Sequence, residues 1–267
     1  MMNNQLLNKS SYLNTNIPFL ISTYIREYDM AKSNISILKY KGVLSQNEYD
    51  YYSNLPKDER QRSIGLLQRN NPEIIDILKS GMKEMRNNFI INNNLSPLDI
   101  LSIKNDAFFI INSIPSNTVF DNIEFRLKNT YTSYYFIDKL EYYYFYNQVN
   151  QEEILDIKGV SDDKLFLHEN YFLDMLKTVF CSAQNEDIKE TVSLLSFIYE
   201  KYIKRELSIE YYREFNPISK IKVNVEGKEF LVDHLSEEEK YYVDISYNLN
   251  IIRILLSYYS SILQRRR

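Results

Sequence analysis

Tryptophan is missing from this chain of 267 residues, and cysteine, histidine and glycine are scarce at one, two and five. Each shortage removes a class of function. One cysteine, Cys181, cannot close an internal disulfide; beside Thr178-Val179-Phe180 it reads as a small buried hydrophobe in a reducing, intracellular setting. Two histidines, His168 and His234, leave too few ligands for a zinc centre, and His168 sits on an apolar helical stripe where a core histidine is the ordinary reading. No Ser-His-Asp or Cys-His constellation is supported. Gly42, Gly65, Gly81, Gly159 and Gly227 are isolated, which argues against a phosphate-cradling loop or a dinucleotide fingerprint. No run of about 20 apolar residues occurs, so no membrane span is expected. The Asn- and Ser-rich start, Met1 to Thr15, lacks the apolar segment of a signal peptide.

What is abundant is tyrosine, at 24 residues, together with Asn, Lys and Ile. That bias points to an AT-rich genome, such as that of a phage of a low-GC bacterium or its host, and so to the cytoplasm of a bacterial cell. Hydrophobic residues make up 44% of the chain, enough for a core that needs no disulfide or metal staple. The net charge of −4 argues against a surface that grips nucleic acid over its whole extent, and leaves room for a local basic cleft.

Residues 1–16 read as a mobile lead-in. Pro18 to Tyr28 is rich in aromatic and β-branched types and reads as one strand ending at Asp29. Helical patterns follow over Ala31–Tyr40, Ser45–Leu55 (opened by a Ser45/Glu48 capping box), Lys57–Arg69 and Glu73–Asn92. Ile100–Ile111 places two apolar runs around Lys104-Asn105-Asp106, residues suited to a hairpin turn, and both arms look buried. The period then changes to two. Ile123–Lys128, Tyr131–Ile137, Leu140–Tyr146 and Ile154–Ile157 read as an antiparallel meander closed by Gly159. Helices are expected over Lys164–Cys181 and Asp187–Leu207, with a third possible over Ile209–Phe215. A hairpin about Glu226-Gly227 follows, and a last helix over Asn248–Arg266. The fold class is therefore α+β: a central antiparallel sheet with inserted helices and a helical C-terminal part. The expected division is a region over residues 1–160 and a mainly helical region over 161–267, or one continuous domain.

Two carboxylates stand at strand ends. Asp29 closes one apolar strand, where its ordinary role is a helix N-cap, and Asp106 tips the hairpin, where its ordinary role is turn chemistry. If the two elements are sheet neighbours, the side chains converge and repel unless protonated or bridged by a cation. A hard cation such as Mg²⁺ or Mn²⁺ prefers carboxylate oxygen and keeps positions open for phosphate, the arrangement used in two-metal phosphoryl transfer.

The order of pieces resembles the palm of family B DNA polymerases. Asp29-Met30-Ala31-Lys32-Ser33-Asn34-Ile35-Ser36-Ile37 is similar to the first palm motif, an aspartate after a strand with a serine seven residues on. Lys83-Glu84-Met85-Arg86-Asn87 has the lysine-to-asparagine spacing of the nucleotide-binding helix. Ile103-Lys104-Asn105-Asp106-Ala107 stands in place of the hairpin motif with its second aspartate. Lys128-Asn129-Thr130-Tyr131 and Asp156-Ile157-Lys158-Gly159 resemble the elements before the thumb. The chain departs from the family pattern at Asn34-Ile35, where the family has Tyr-Pro, and at Asp106, which stands alone where the family has a pair. The resemblance implies Asp29 and Asp106 as catalytic and metal-binding residues. It implies Lys83 and Arg86 at the triphosphate, and Lys128, Tyr131 and Lys158 at template or primer. A degenerate palm that binds without catalysing fits the same residues.

A different class fits the composition too: a non-enzymatic interaction protein, such as a replication accessory, virion or anti-defence factor. It would use a tyrosine-rich sheet face, with Tyr131, Tyr134, Tyr142, Tyr144 and Lys128, against nucleic acid or a protein partner. The competing role for those tyrosines is cross-strand packing.

Overall fold

The computed structural model describes residues 6–147, 149–159, 171–185, 187–208, 222–225, 228–231 and 246–265. His168, His234, the helix expected over 209–215, the start of the one expected from Lys164, the Glu226-Gly227 turn and Arg266-Arg267 lie outside these residues. The chain divides into two compact units. One holds Met1–Ile17 and Tyr24–Thr130, the other Pro18–Thr23 and Tyr131–Arg267. The class is α+β, as expected, with seven helices among the described residues.

The first unit is built on a six-stranded sheet. Its strands are β1 (Ser11–Leu13), β3 (Ile25–Met30), β4 (Ile100–Lys104), β5 (Ala107–Ile110), β6 (Val119–Phe120) and β7 (Ile123–Tyr131), in the order β1-β4-β5-β3-β7-β6. Alternation along β3 sends Tyr28 and Met30 to one face and Glu27 and Asp29 to the other. Tyr28 and Met30 join Ile103, Phe108, Ile110, Ile123 and Phe125 in a core that helices complete. These are α1 (Ser33–Tyr40), α2 (Gln46–Asn54), α3 (Lys57–Asn70) and α4 (Glu73–Asn92). The longest, α4, buries Ile74, Leu78, Met85 and Phe89 along one stripe, and Phe89 meets Phe108 and Phe125 at centroid distances of 4.7 and 4.5 Å. Gly81 lies where α4 meets α1: a β-carbon there would collide with Ile37 Cγ2.

The second unit carries a four-stranded sheet in the order β10-β9-β8-β2, made of β2 (Phe19–Leu20), β8 (Ser133–Ile137), β9 (Leu140–Asn147) and β10 (Glu152–Lys158). Helices α5 (Tyr171–Gln184), α6 (Ile188–Lys204) and α7 (Ser246–Arg265) share its core. Tyr135 stacks on Phe180 at 4.1 Å, and the Tyr259 hydroxyl donates to that of Tyr135 at 3.1 Å. A two-stranded hairpin pairs β11 (Lys222–Val225) with β12 (Lys228–Leu231).

Three expectations change. The lead-in is partly built into the fold: Leu6 is buried and β1 pairs with β4. The single strand over 18–28 is two strands in two sheets, because Ser22 turns the chain at φ +54° between β2 and β3. The meander is also divided. β7 belongs to the six-stranded sheet, and only β8, β9 and β10 form the antiparallel run expected. Alternating apolar residues mark each strand but carry no label for the sheet it joins.

Candidate functional site

Asp29 sits at the penultimate position of β3, and its cross-strand partner on β5 is Ala107. The residue before Ala107 is Asp106, whose carbonyl accepts the Met30 N–H at 3.0 Å. Hydrogen bonding between β3 and the β4–β5 hairpin therefore brings the two aspartates together where β3 ends and β5 begins, in the middle of the sheet. Only Asn105 of the two-residue turn is left-handed, at φ +50°, a conformation that asparagine tolerates. Asp29 is not a helix cap: α1 opens after Lys32, itself left-handed at φ +49°, and has no side-chain cap.

Both carboxylates line a cavity of about 460 Å³ within the first unit. Its other polar walls come from three elements. The first turn of α1 contributes Ser33 and Asn34, α3 contributes Lys57, Arg60 and Gln61, and β7 contributes Arg126 and Lys128; Lys32 completes the lining. Five cationic side chains thus surround two carboxylates. The acid–base pairs across β3 and β7 are in step: Arg126 Nη2 lies 3.8 Å from Asp29, and Lys128 Nζ 3.2 Å from Glu27. Glu27 is buried and also accepts from Asn129 Nδ2 at 2.8 Å. Burial pushes the Asp29 carboxyl above the usual aspartate range, and the neighbouring Asp106 charge adds to the rise against the pull of Lys128 and Arg126.

The remaining candidates lie elsewhere. Lys83 is exposed on α4 and does not line the cavity. Arg86 is buried on α4, with Nη1 donating to the Asn105 carbonyl at 2.9 Å. Tyr131 and Lys158 share a partner in the second unit: the Tyr131 hydroxyl donates to Asp156 Oδ2 at 2.7 Å, and Lys158 Nζ stands 2.6 Å from the same oxygen. Sequence reasoning missed Lys57, Arg60 and Arg126. Arg126 had a signal, since it sits two residues before Lys128 on the same strand face. Lys57 and Arg60 carried only the pattern of a charged surface helix.

The tyrosine-rich face is corrected by the structure. Tyr131, Tyr134, Tyr142 and Tyr144 are all buried. Tyr142 and Tyr144 pack into the second core, and Tyr143 meets both Tyr131 and Tyr134 at 5.2 Å. Ring packing of this kind stabilises the sheet and takes these four tyrosines out of reach of a base. Burial also drives the Tyr134 and Tyr144 hydroxyls far above the usual phenol range.

A divalent cation would find two carboxylate donors here. Among the described residues there is no group of three or more His, Cys, Asp or Glu placed to hold a metal. Mg²⁺ is commonly held by one or two carboxylates with substrate phosphates completing its shell, so this donor set fits a cation that arrives with an anion. No helix among the described residues is long and apolar enough to cross a membrane.

Residues 2–259 match the family model described as Bacteriophage PBS1 gene 130 protein, and the chain belongs to that family of phage proteins. No curated protein matches it.

Proposed function

We propose, from the premise of a phage-family protein, that the Asp29–Asp106 cavity takes the polyphosphate of a nucleotide together with a divalent cation. In this reading the chain is a palm-like nucleotidyltransferase, or a polymerase-derived protein that binds nucleic acid. The observation that carries it is that a strand carboxylate and a turn carboxylate share a cavity that five cationic side chains also line. Two carboxylates alone would favour a bare cation. Lys32, Lys57, Arg60, Arg126 and Lys128 reverse the sign of the cavity, and a polyanion is what that surplus attracts.

The parts divide the work. The start of α1 has no side-chain cap and lines the cavity with Ser33 and Asn34; at the positive end of the helix dipole, it would receive phosphate oxygens. Lys57 and Arg60 would hold the same group from α3, Arg with its planar fork and Lys as a point charge. Asp29 and Asp106 would hold Mg²⁺ or Mn²⁺, which supplies charge neutralisation at the phosphate when bound. Lys128, tied to Glu27, would face a nucleic-acid backbone at the β7 side of the cavity.

The test is thermal melting with inorganic triphosphate, with and without Mg²⁺. Triphosphate alone should raise Tm, Mg²⁺ alone should do little, and the two together should exceed the sum. Occupancy at 100 times Kd corresponds to about 2.7 kcal/mol of stabilisation. Lys57→Ala with Arg60→Ala should remove the triphosphate response, and Asp106→Asn only the Mg²⁺ increment. For the transfer reaction, Asp106→Asn should abolish nucleotide incorporation on a primed template while Tm stays nearly unchanged. Equal incorporation by wild type and variant would remove Asp106 from the mechanism.

A further inference from the structure

Arg86 is the polar group that the cavity leaves unexplained. It lies on the core stripe of α4 between Met85 and Phe89, and is 5% exposed. Its Nη1 donates to the Asn105 carbonyl, while Nε is buried with no hydrogen-bond partner. Burying a guanidinium is unfavourable unless charge and hydrogen bonds compensate it. One carbonyl could be satisfied by a neutral donor at a smaller cost, so the choice of arginine needs a second reason. Burial pulls the Arg86 guanidinium below its usual range, and the Asp106 charge works against that fall.

The turn that carries Asp106 is held from three directions. The Asn105 N–H donates to the Ser10 carbonyl at 2.9 Å, the Asp106 carbonyl accepts from Met30 N at 3.0 Å, and the Asn105 carbonyl accepts from Arg86. The first two holds are backbone bonds from within the sheet's own layer. The third comes from a helix side chain and is the one that carries charge. Arg86 does not line the cavity.

We infer that Arg86 is a positioning residue for Asp106: its guanidinium fixes the Asn105–Asp106 turn, and presents the Asp106 carboxylate to the cation of a metal–polyphosphate ligand without touching that ligand. Arg126 stands 3.8 Å from Asp29, and Arg86 holds the carbonyl of the residue next to Asp106, so each carboxylate has a guanidinium in its neighbourhood. This rests on the reading of the cavity given above. It separates the roles of two cationic groups: the α3 side chains serve the anion, and Arg86 serves the carboxylate.

The experiment uses the full chain with inorganic triphosphate and Mg²⁺. Arg86→Met keeps the length and removes the charge and donors; Arg86→Lys keeps the charge and one donor. Arg86→Met should bind triphosphate alone within about twofold of wild type, yet lose at least tenfold of the Mg²⁺ enhancement, or about 1.4 kcal/mol. Its Asn105 amide should exchange with solvent at least tenfold faster, and Arg86→Lys should recover the larger part of both. A merely structural arginine would alter melting without separating the two ligand responses. If Arg86→Met does not melt cooperatively, Arg86→Gln, which keeps a neutral donor, is read in the same way. An unchanged Mg²⁺ enhancement in the variant overturns the inference and leaves the cavity reading standing. Loss of triphosphate binding itself also overturns it, by making Arg86 an anion contact. Absence of any Mg²⁺ enhancement in wild type removes the cavity reading and this inference together.

Discussion

At the scale of single residues, Asp29 carries a cost that its neighbours only partly offset. Its carboxyl is raised by burial and by Asp106, so the folded state holds its proton more tightly than the unfolded chain does. An unfolded aspartate titrates at about pH 3.9. Stability contributed by the protonated form is therefore present below that pH and is lost as pH rises through the higher folded value. Above it, ionised Asp29 is a constant penalty. Asp29→Asn should raise Tm at pH 7, and the gain should shrink towards zero below about pH 4; melting curves at both pH values check this. The sequence made Asp29 and Asp106 conspicuous because one closes an apolar strand pattern and the other tips a hairpin with apolar arms. It hid Lys57 and Arg60, because a cation facing a cavity and one facing water leave the same helical period.

Among the elements, α4 was legible to the residue: Pro72, the apolar stripe and the Asn run at 92–94 give its limits, and the helix spans Glu73–Asn92 as expected. The capping box at Ser45 and Glu48 is formed as read, with Glu48 N donating to Ser45 Oγ at 3.3 Å and Ser45 N to Glu48 Oε2 at 2.8 Å. Such signals are local, and local chemistry is what sequence spacing reports. Two glycines in neighbouring helices show what it does not report. Gly65 on α3 has open space where a β-carbon would stand, whereas at Gly81 on α4 that carbon would collide with the Ile37 side chain of α1. Gly65→Ala should therefore stabilise by about 0.5–1 kcal/mol through helix propensity. Gly81→Ala should destabilise by about 1–3 kcal/mol because the collision outweighs the same gain. Urea melts of the two variants decide the matter, and opposite signs are the expected result.

For the molecule as a whole, each unit has its own apolar core, one gathered around Phe89, Phe108 and Phe125, the other around Tyr135 and Phe180. Phe180 meets Tyr135, Tyr142 and Tyr144. Phe180→Ala should cost about 3–5 kcal/mol by transfer and cavity formation, measured by denaturant unfolding. Fold class was readable because the change from a period of 3.6 to one of 2 is written along the chain. Assignment of strands to sheets was not, since β7 and β8 are separated by Thr132 alone and share one alternating pattern.

The short excursion of Pro18–Thr23 into the second unit bears on how the protein is made. Phe19 pairs with Tyr135, which the ribosome adds 116 residues later. At about 5–20 residues per second, that edge waits about 6–23 s for its neighbour to be synthesised. During this interval a nascent chain carries Phe19 and Leu20 as an unclaimed β-edge. A gene split between the units after Thr130 would sever this tie, and the downstream product would have to acquire its fourth strand from another polypeptide.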